Sequence, residues 1–351
     1  MKTESLGGFD RFRVPAALLV IAIHTGPLLS LNGEANYLLT DILARIAVPF
    51  FFSVSGWFLV PRLLREGRAA LIPFVKKLLL LYGAAVLLYL PLNLYNHTLE
   101  ESGFALLRDV LFNGTFYHLW YFPALVLGAC LVYGLLRILG PRWAWLPALL
   151  LYAAGLLGDS YCGLPAALPP LRAGYEALFL LFDYTRNGLF FAPLFLLLGA
   201  AGIQWSRRAS AWGLAGSFAA IAAEAFFLRS QGWPRHDSMY LALPLVSVFL
   251  FSLLLGCNRG RNQRAARLSL LVYLLHPWSI VLVRGGAEVR GLEGILVRNS
   301  LGHFCAVLVL TACMALVLDA LRPIRPNPKG RAWRELDRGA LVHNAQVLQD
   351  A

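Results

Sequence analysis

The apolar stretch VPAALLVIAIHTGPLLSL, at residues 14–31, indicates the fold class of this chain. It contains no Asp, Glu, Lys or Arg, and an α-helix of its length rises about 27 Å, close to the ~30 Å hydrocarbon core of a bilayer. Its apolar residues do not alternate with polar ones, as they would in a strand of a transmembrane β-barrel. Because the backbone in a bilayer core must satisfy its own hydrogen bonds, the stretch is predicted to form a transmembrane helix.

Comparable apolar stretches recur along the chain. We therefore predict an all-α integral membrane protein, a bundle of about ten transmembrane helices. The predicted spans are 14–31, 42–60, 75–92, 119–139, 143–157, 188–205, 211–228, 240–257, 268–284 and 302–320. The span at 143–157 is the shortest of them and contains a proline.

The composition agrees with a membrane protein. Hydrophobic residues make up 58% of the chain and charged residues 14%, whereas a soluble protein carries roughly 25% charged residues. The net charge of +12 would suit nucleic acid, but the arginines lie in short loops between apolar stretches, so we predict the lipid bilayer as a partner and no nucleic acid. The five cysteines are scattered and form neither a disulfide framework nor a metal-binding spacing.

The distribution of basic residues predicts the topology. Most of the 31 Lys and Arg residues lie at the two ends of the chain and in alternate loops. Cytoplasmic loops of membrane proteins carry such an excess of Lys and Arg, so both termini are predicted to be cytoplasmic. The longer outer loops, 93–118 and 158–187, are each predicted to contain a short amphipathic or re-entrant helix over the site. An interfacial helix without a functional role is the alternative.

The character of the sequence changes after Leu321, which ends a predicted membrane domain at residues 1–321. Residues 322–330, RPIRPNPKG, are rich in proline and are predicted to form an extended linker. Residues 331–351 are polar and resemble a short strand followed by the beginning of a helix, so they are assigned to a separate segment.

Two polar residues of the first span share one face of the predicted helix. Arg13 and His24 are eleven residues apart, which corresponds to about three turns and a rise of ~16 Å. This geometry suits a long cofactor whose phosphates bind the arginine at the cytoplasmic face while the histidine acts at the buried reactive end. The alternative is a histidine that is hydrogen-bonded within the bundle and an arginine that binds lipid phosphates.

Further polar residues of the spans are candidates to contact a substrate or to support the site, because a polar group inside a membrane costs free energy and is usually functional. His276 lies in YLLHP (273–277), and both His118 and Trp120 lie in HLWYF (118–122). Arg45 is another candidate, and because it is one turn from Asp41 the alternative is that the two charges simply neutralise each other.

The motif PFFFSVSGW (49–57) contributes Ser53 and Ser55, and Ser55 is a further candidate to contact a substrate or to support the site. Serines in membrane helices usually form hydrogen bonds between helices, and that role is expected for both.

Several of these motifs resemble the membrane acyltransferase-3 family. The spacing of Arg13 and His24 resembles the R-x10-H signature of that family, and PFFFSVSGW, HLWYF and YLLHP resemble its later motifs in the same order. The resemblance implies transfer of an acyl group from acyl-CoA to a sugar or other cell-envelope acceptor. It also implies that His24 is the catalytic base or a transient acyl carrier, that Arg13 binds the CoA phosphates, and that the protein lies in the bacterial inner (plasma) membrane.

Two other stretches resemble the membrane-bound serine/alanine racemases of vancomycin-resistance clusters. They are RNGLFFAPLFLLLG (186–199), which contains Arg186 and Asn187, and RAWRELDRGALVHN (331–344), which is similar to the beginning of an alanine racemase. In that group the membrane module is thought to bring L-serine to a racemase domain, in cis or in trans. Arg334 and Arg338 depart from the racemase pattern.

The sequence stops before the racemase block that holds the lysine of pyridoxal phosphate. We therefore expect neither this cofactor nor racemase activity in these 351 residues. Two functions remain open for the membrane domain. The first is acyl transfer from acyl-CoA. The second is uptake of L-serine for a cytoplasmic racemase, or anchoring of that racemase, without acyl transfer.

Overall fold

The computed structural model describes residues 7–96, 102–257 and 262–321. The predicted linker and racemase-like segment, at 322–330 and 331–351, lie outside the described residues. Within those ranges the chain folds into helices and connecting loops and contains no β-strand. The all-α fold predicted from the sequence is confirmed.

Ten principal helices form the bundle. They are α1 (Gly7–Thr25), α2 (Gly33–Glu66), α3 (Arg68–Tyr95), α4 (Tyr121–Ile138), α5 (Trp145–Leu157), α6 (Ala192–Ala201), α7 (Arg207–Ser230), α8 (Leu243–Leu255), α9 (Gln263–Arg290) and α10 (Ser300–Ala320). Each predicted span overlaps one of these helices. Within the described part of the chain, α2, α3, α4, α7, α9 and α10 are long and apolar enough to cross a membrane by themselves, whereas α6 and α8 are apolar but shorter. The protein is therefore a multi-pass membrane protein.

Successive helices run in opposite directions. At the end of the bundle where α1 begins, Asp10 Oδ2 accepts a hydrogen bond of 2.8 Å from the backbone N–H of Asn262, just before α9. At the opposite end, the hydroxyls of Ser30 and Ser300 lie 2.9 Å apart, which joins the end of α1 to the beginning of α10. We call the end where α1 begins the basic end, because the arginine-rich turn between α2 and α3 and the beginnings of α7 and α9, which carry two arginines each, lie there.

The boundaries of α1 differ from the predicted span 14–31. The helix begins at Gly7 and ends at Thr25, because Gly26 adopts a left-handed conformation with φ of 56° and Pro27 follows it. Neither residue continues an α-helix. Hydropathy could not detect this stop, since the residues beyond it are again apolar.

The closest approach of two helices in the bundle lies between α2 and α6. A Cβ atom added to Gly199 would lie 2.5 Å from the carbonyl carbon of Ser53, and one added to Gly56 would lie 2.6 Å from that of Leu196. Small residues permit such backbone contact in membrane helices. Ser53 also fulfils the predicted inter-helix role, because its hydroxyl lies 3.2 Å from that of Ser247 in α8.

The two long outer loops contain short helices, as predicted. Residues Gly103–Arg108 continue into a π-helical turn, and Pro169–Phe179 forms an amphipathic helix with no buried residue. The loops contact each other where the Asn113 side chain accepts a hydrogen bond of 3.0 Å from the backbone N–H of Asp183. They therefore form one layer at the end of the bundle opposite the basic end.

Candidate functional site

A cavity of about 340 Å³ lies between α1, α2, α3, α4 and α9. At the basic end it is lined by Arg13 of α1 and Lys77 of α3, and deeper in the bundle by His24 and Arg186. Its walls are mainly aliphatic and aromatic. The cavity thus connects two cations near one end of the bundle with a histidine and an arginine in its interior.

Arg13 and His24 both line this cavity, so the predicted common face of the first helix is confirmed. Their positions along the helix differ from the prediction, because α1 begins earlier. Arg13 lies in the second turn rather than at the entrance of the helix, and His24 lies in the last turn rather than near its middle. His24 is nevertheless deep in the bundle, because its ring lies beside that of His276, at the centre of the 28-residue helix α9.

The Arg13 guanidinium is held close to a carboxylate. Its Nε lies 3.5 Å from Oδ1 of Asp10, one helical turn earlier. Asp10 is itself fixed by the backbone N–H of Asn262. This contact keeps Arg13 at the mouth of the cavity, where Lys77 adds a second positive charge.

Three histidines from different parts of the chain meet beside the deep part of the cavity, which His24 and His118 line and His276 does not. The ring centres of His24 and His276 lie 5.3 Å apart, with an angle of 24° between the rings. The ring of His118 meets the ring of His276 edge-on, and their centres also lie 5.3 Å apart. Tyr117 contacts His24 at 4.7 Å. The sequence suggested each histidine separately, and the structure brings all three together.

The Pro in YLLHP explains the orientation of His276. Pro277 has no N–H, so it cannot donate the helical hydrogen bond to the carbonyl oxygen of Tyr273. His276 Nδ1 lies 2.9 Å from that oxygen. Because a carbonyl only accepts, Nδ1 must carry the proton, which leaves Nε2 of the neutral ring as an acceptor. That Nε2 is buried and has no hydrogen-bond partner among the described residues.

His118 is less constrained. Its side chain is 2% exposed, and both ring nitrogens are without a hydrogen-bond partner in the described ranges. Its position is set by its backbone, whose carbonyl accepts a hydrogen bond of 2.5 Å from the hydroxyl of Tyr273. A buried imidazole with two free nitrogens is unusual unless a ligand or water completes its hydrogen bonds.

The loop before α6 places Arg186 in the cavity. Its guanidinium carbon lies 4.9 Å from the ring centre of Trp120 and 4.6 Å from that of Tyr184. Asn187, the next residue, does not line the cavity. Its Oδ1 accepts hydrogen bonds from the backbone N–H groups of Leu189 and Phe190, so Asn187 stabilises the turn that presents Arg186.

The other two candidates differ in position. Arg45 forms the predicted ion pair with Asp41 in an irregular part of α2, and it does not line the cavity. Its Nε is buried without a partner among the described residues. Ser55 lines the cavity, and its hydroxyl donates a hydrogen bond of 2.9 Å to the carbonyl of Phe51.

Sequence reasoning did not identify Asp159 and His236, which lie in two loops close to Arg186. Asp159 is fully buried, and its Oδ1 accepts hydrogen bonds of 2.8 Å from the backbone N–H groups of Ser238 and Met239. Burial raises the pKa of Asp159 to about 6. Burial, followed by the charge of Arg186, lowers the pKa of His236 to about 4, so this imidazole is neutral at pH 7. No local sequence pattern identifies such residues, because their surroundings come from distant loops.

Lys77 was also missed as a site residue, since the sequence placed it with the cytoplasmic basic residues. The described residues contain no group of His, Cys, Asp and Glu side chains suited to holding a metal ion. The unpartnered ring nitrogens of His118 and His276 suit hydrogen bonding and proton transfer.

Comparison with known proteins places this arrangement in a family. Residues 6–320 match the family model described as "Acyltransferase domain". The chain belongs to this family. The match covers all ten helices, and it confirms the resemblance drawn from the Arg13–His24 spacing and the later motifs.

Curated relatives carry racemase names. The chain is 38% identical to an "Amino-acid racemase" of Enterococcus faecalis over 365 residues, which cover 100% of this chain and 51% of that protein. It is 39% identical to a "Serine/alanine racemase" of Enterococcus gallinarum, with coverage of 97% and 51%. The chain thus spans about half the length of the curated relatives it matches. No solved structure matches it.

Proposed function

We propose that the chain transfers an acyl group from acyl-CoA to a small or cell-envelope acceptor that carries a hydroxyl group. The observation that supports this proposal is the cavity that contains both Arg13 and His24, about 16 Å apart along one helix. The donor enters from the basic end, and the thioester reaches the histidine cluster.

The chemistry of the cavity suits acyl-CoA along its length. Arg13 and Lys77 supply positive charge for the phosphates of the donor. Between them and His24 the lining includes Phe51, Leu78 and other apolar side chains, which suit the uncharged arm of the donor and its acyl chain.

His24 is the proposed general base. The acceptor oxygen attacks the thioester carbonyl carbon, a C–O bond forms and the C–S bond breaks. The proton of the hydroxyl passes to His24 and then to the departing CoA sulfur, so the imidazole returns to its neutral form. A transient acyl-histidine is the other route compatible with the same residue. His276 supports either route, because its ring, fixed by the Tyr273 carbonyl, holds the ring of His24 in position.

The proposal also assigns an orientation. Acyl-CoA is a cytoplasmic donor, so the basic end and both termini are assigned to the cytoplasmic side of a bacterial plasma membrane. The excess of Lys and Arg near that end supports the assignment.

The relatives support a second candidate, in which the module captures or conducts L-serine for a racemase without transferring an acyl group. Its support is the printed name "Serine/alanine racemase", together with a match over only half of that protein. In this case a racemase domain would act in cis or in trans, and acyl-CoA would not bind to the cavity.

Two substitutions test the first proposal in purified, detergent-solubilised protein. His24→Ala is expected to lower the transfer rate at least about 100-fold, because it removes the general base, while acyl-CoA binding persists. Arg13→Ala is expected to weaken acyl-CoA binding about tenfold or more, since it removes a charge-assisted contact to phosphate. Equilibrium binding of a radiolabelled acyl-CoA and release of free CoA thiol measure the two effects.

Matched controls are available in the same helices. Arg11 is exposed, lies on α1 and does not line the cavity, so Arg11→Ala should bind acyl-CoA like the wild type. His303 is buried outside the cavity, so His303→Ala controls for loss of a buried imidazole. Absence of acyl-CoA binding to the wild type, together with saturable binding of L-serine, would refute the transfer proposal and favour the second candidate.

A further inference from the structure

Arg186 forms no direct ion pair within the part of the chain that the structure describes. Among the described residues no carboxylate lies within ion-pair distance of its guanidinium, and its Nε is buried without a hydrogen-bond acceptor. The rings of Trp120 and Tyr184 contact the guanidinium, so they stabilise it without neutralising its charge.

The nearby charges compensate for it only in part. Asp159 attracts Arg186 but lies beyond ion-pair distance, and its Oδ1 accepts hydrogen bonds from the backbone N–H groups of Ser238 and Met239. Arg45, whose own charge is matched by Asp41, acts on Arg186 with the repelling sign. The deep part of the cavity therefore carries a guanidinium that Asp159 offsets in part and that no ion pair among the described residues neutralises.

The charge of Arg186 lies where a ligand can reach it. Arg186 lines the same cavity as His24 and Trp120. A buried cation without a partner is costly to the fold, so its presence in a cavity is explained by an anionic ligand. A guanidinium presents parallel N–H groups that match the two oxygens of a carboxylate.

We propose that Arg186 binds a carboxylate of the acceptor, which makes the acceptor a small hydroxylated carboxylic acid, such as a hydroxy amino acid. A single cation without a direct ion pair among the described residues matches a monoanion, whereas the two cations at the basic end match the phosphates of the donor. This inference rests on the proposed acyl transfer for the role of the hydroxyl group. The carboxylate stays ionised on Arg186 while the hydroxyl faces His24 and gives up its proton there.

The competing explanation is that Arg186 only joins Trp120 to Tyr184 and fixes the loop before α6. In that case its loss would change stability without changing which small molecules bind. The two explanations differ in one readout, the preference for a carboxylate over an uncharged group of the same shape.

The experiment uses L-serine and L-serinamide as probes, because they differ in the carboxylate and its carboxamide replacement. Their dissociation constants are measured by equilibrium dialysis against the purified 351-residue chain in lipid nanodiscs. The wild type should bind L-serine at least about tenfold more tightly than L-serinamide, as expected for a charge-assisted pair. Arg186→Gln should weaken L-serine binding about 10- to 100-fold and bring the ratio of the two constants close to one.

Two further variants keep the test decisive. Arg186→Lys retains the positive charge but not the planar guanidinium, so it should retain part of the preference for L-serine over L-serinamide. It replaces Arg186→Gln if that variant does not elute as a single species. Arg229→Gln is the matched control. Arg229 also lies over a tyrosine ring, 4.6 Å from that of Tyr37, but it pairs with Glu34 at 3.0 Å and does not line the cavity. Its substitution should leave the ratio unchanged.

Equal affinity of the wild type for the two probes, binding of neither probe, or an unchanged ratio in Arg186→Gln would overturn the inference. Acyl-CoA binding, measured on the same preparations, separates this result from the fate of the proposed function. If acyl-CoA binds and the ratio is one, the carboxylate site is refuted while acyl transfer stands. If acyl-CoA does not bind but L-serine binds through Arg186, the transfer is refuted while the carboxylate site stands.

Discussion

The contact between α2 and α6 leads to a quantitative prediction for Gly199→Ala. The new Cβ would lie 2.5 Å from the carbonyl carbon of Ser53 and 2.6 Å from its Cα. An ordinary van der Waals contact begins near 3.4 Å, and the carbonyl oxygen of Ser53 would lie closer to the new Cβ than either of these carbon atoms. The helices must therefore separate by more than about 0.9 Å in a close-packed interior. Both partners are backbone atoms, so no side chain can rotate to relieve the overlap.

This overlap should cost about 3 kcal/mol, at the upper end of the range for overpacked interiors. At about 2–4 °C per kcal/mol, the Tm should fall by roughly 6 °C or more. The substitution should also displace Arg186, because α6 follows directly after the turn that holds this residue. Thermal unfolding in detergent, followed by intrinsic Trp fluorescence and by the monodisperse fraction in size-exclusion chromatography, measures the effect.

The matched control is Gly83→Ala in α3. Gly83 is exposed, and a Cβ added there would meet no atom within 4 Å. Replacement of a helical glycine by alanine then adds up to about 1 kcal/mol of helix stability, so the Tm should stay level or rise slightly. A Tm of Gly199→Ala equal to that of Gly83→Ala would show that α2 and α6 are not in backbone contact.

Further predictions concern pH, topology and the linker. The pKa of Asp159 is raised to about 6, so the free energy of unfolding should fall by about 3 kcal/mol in total as the pH rises from 3.8 to 6, and it should stay low above pH 6. Asp159→Asn keeps an oxygen acceptor. It should raise the Tm at pH 7 and weaken the dependence of stability on pH relative to the wild type. A single cysteine introduced at position 290 should react with an impermeant maleimide added to intact cells and one at position 65 should not, and the reverse pattern would contradict the proposed orientation. Residues 322–330 should be cut first by a low concentration of trypsin in detergent, and their protection would indicate that the segment docks on the helices.

Hydropathy predicted all ten helices, because each contains enough apolar residues to be recognised without knowledge of its neighbours. It did not predict where the helices begin and end, because single residues determine those boundaries. The left-handed Gly26 and the following Pro27 end α1 six residues before the predicted boundary at 31. α6 occupies only Ala192–Ala201 of the predicted span 188–205, because the turn fixed by Asn187 takes up its beginning.

The candidate site was predictable where helical periodicity alone places the residues. Arg13 and His24 share a face by their spacing, and the cavity includes both. The meeting of His24 with His276, and the charge balance around Arg186, depend on contacts between segments far apart in the chain. Those contacts arise from the packing of the helices and outer loops, which no single stretch of sequence encodes.

The shortness of α6 has an electrical consequence. Ten residues rise about 15 Å, half the thickness of a hydrocarbon core of ~30 Å. If the loop that carries Arg186 fills the remaining depth, its polar groups polarise more readily than hydrocarbon does. A membrane voltage would then fall mainly across the short helix, between Arg186 and the basic end. Moving one charge through 100 mV involves about 2.3 kcal/mol, so an anion reaching Arg186 from the basic end would be sensitive to the voltage, while one arriving through the outer loops would hardly sense it.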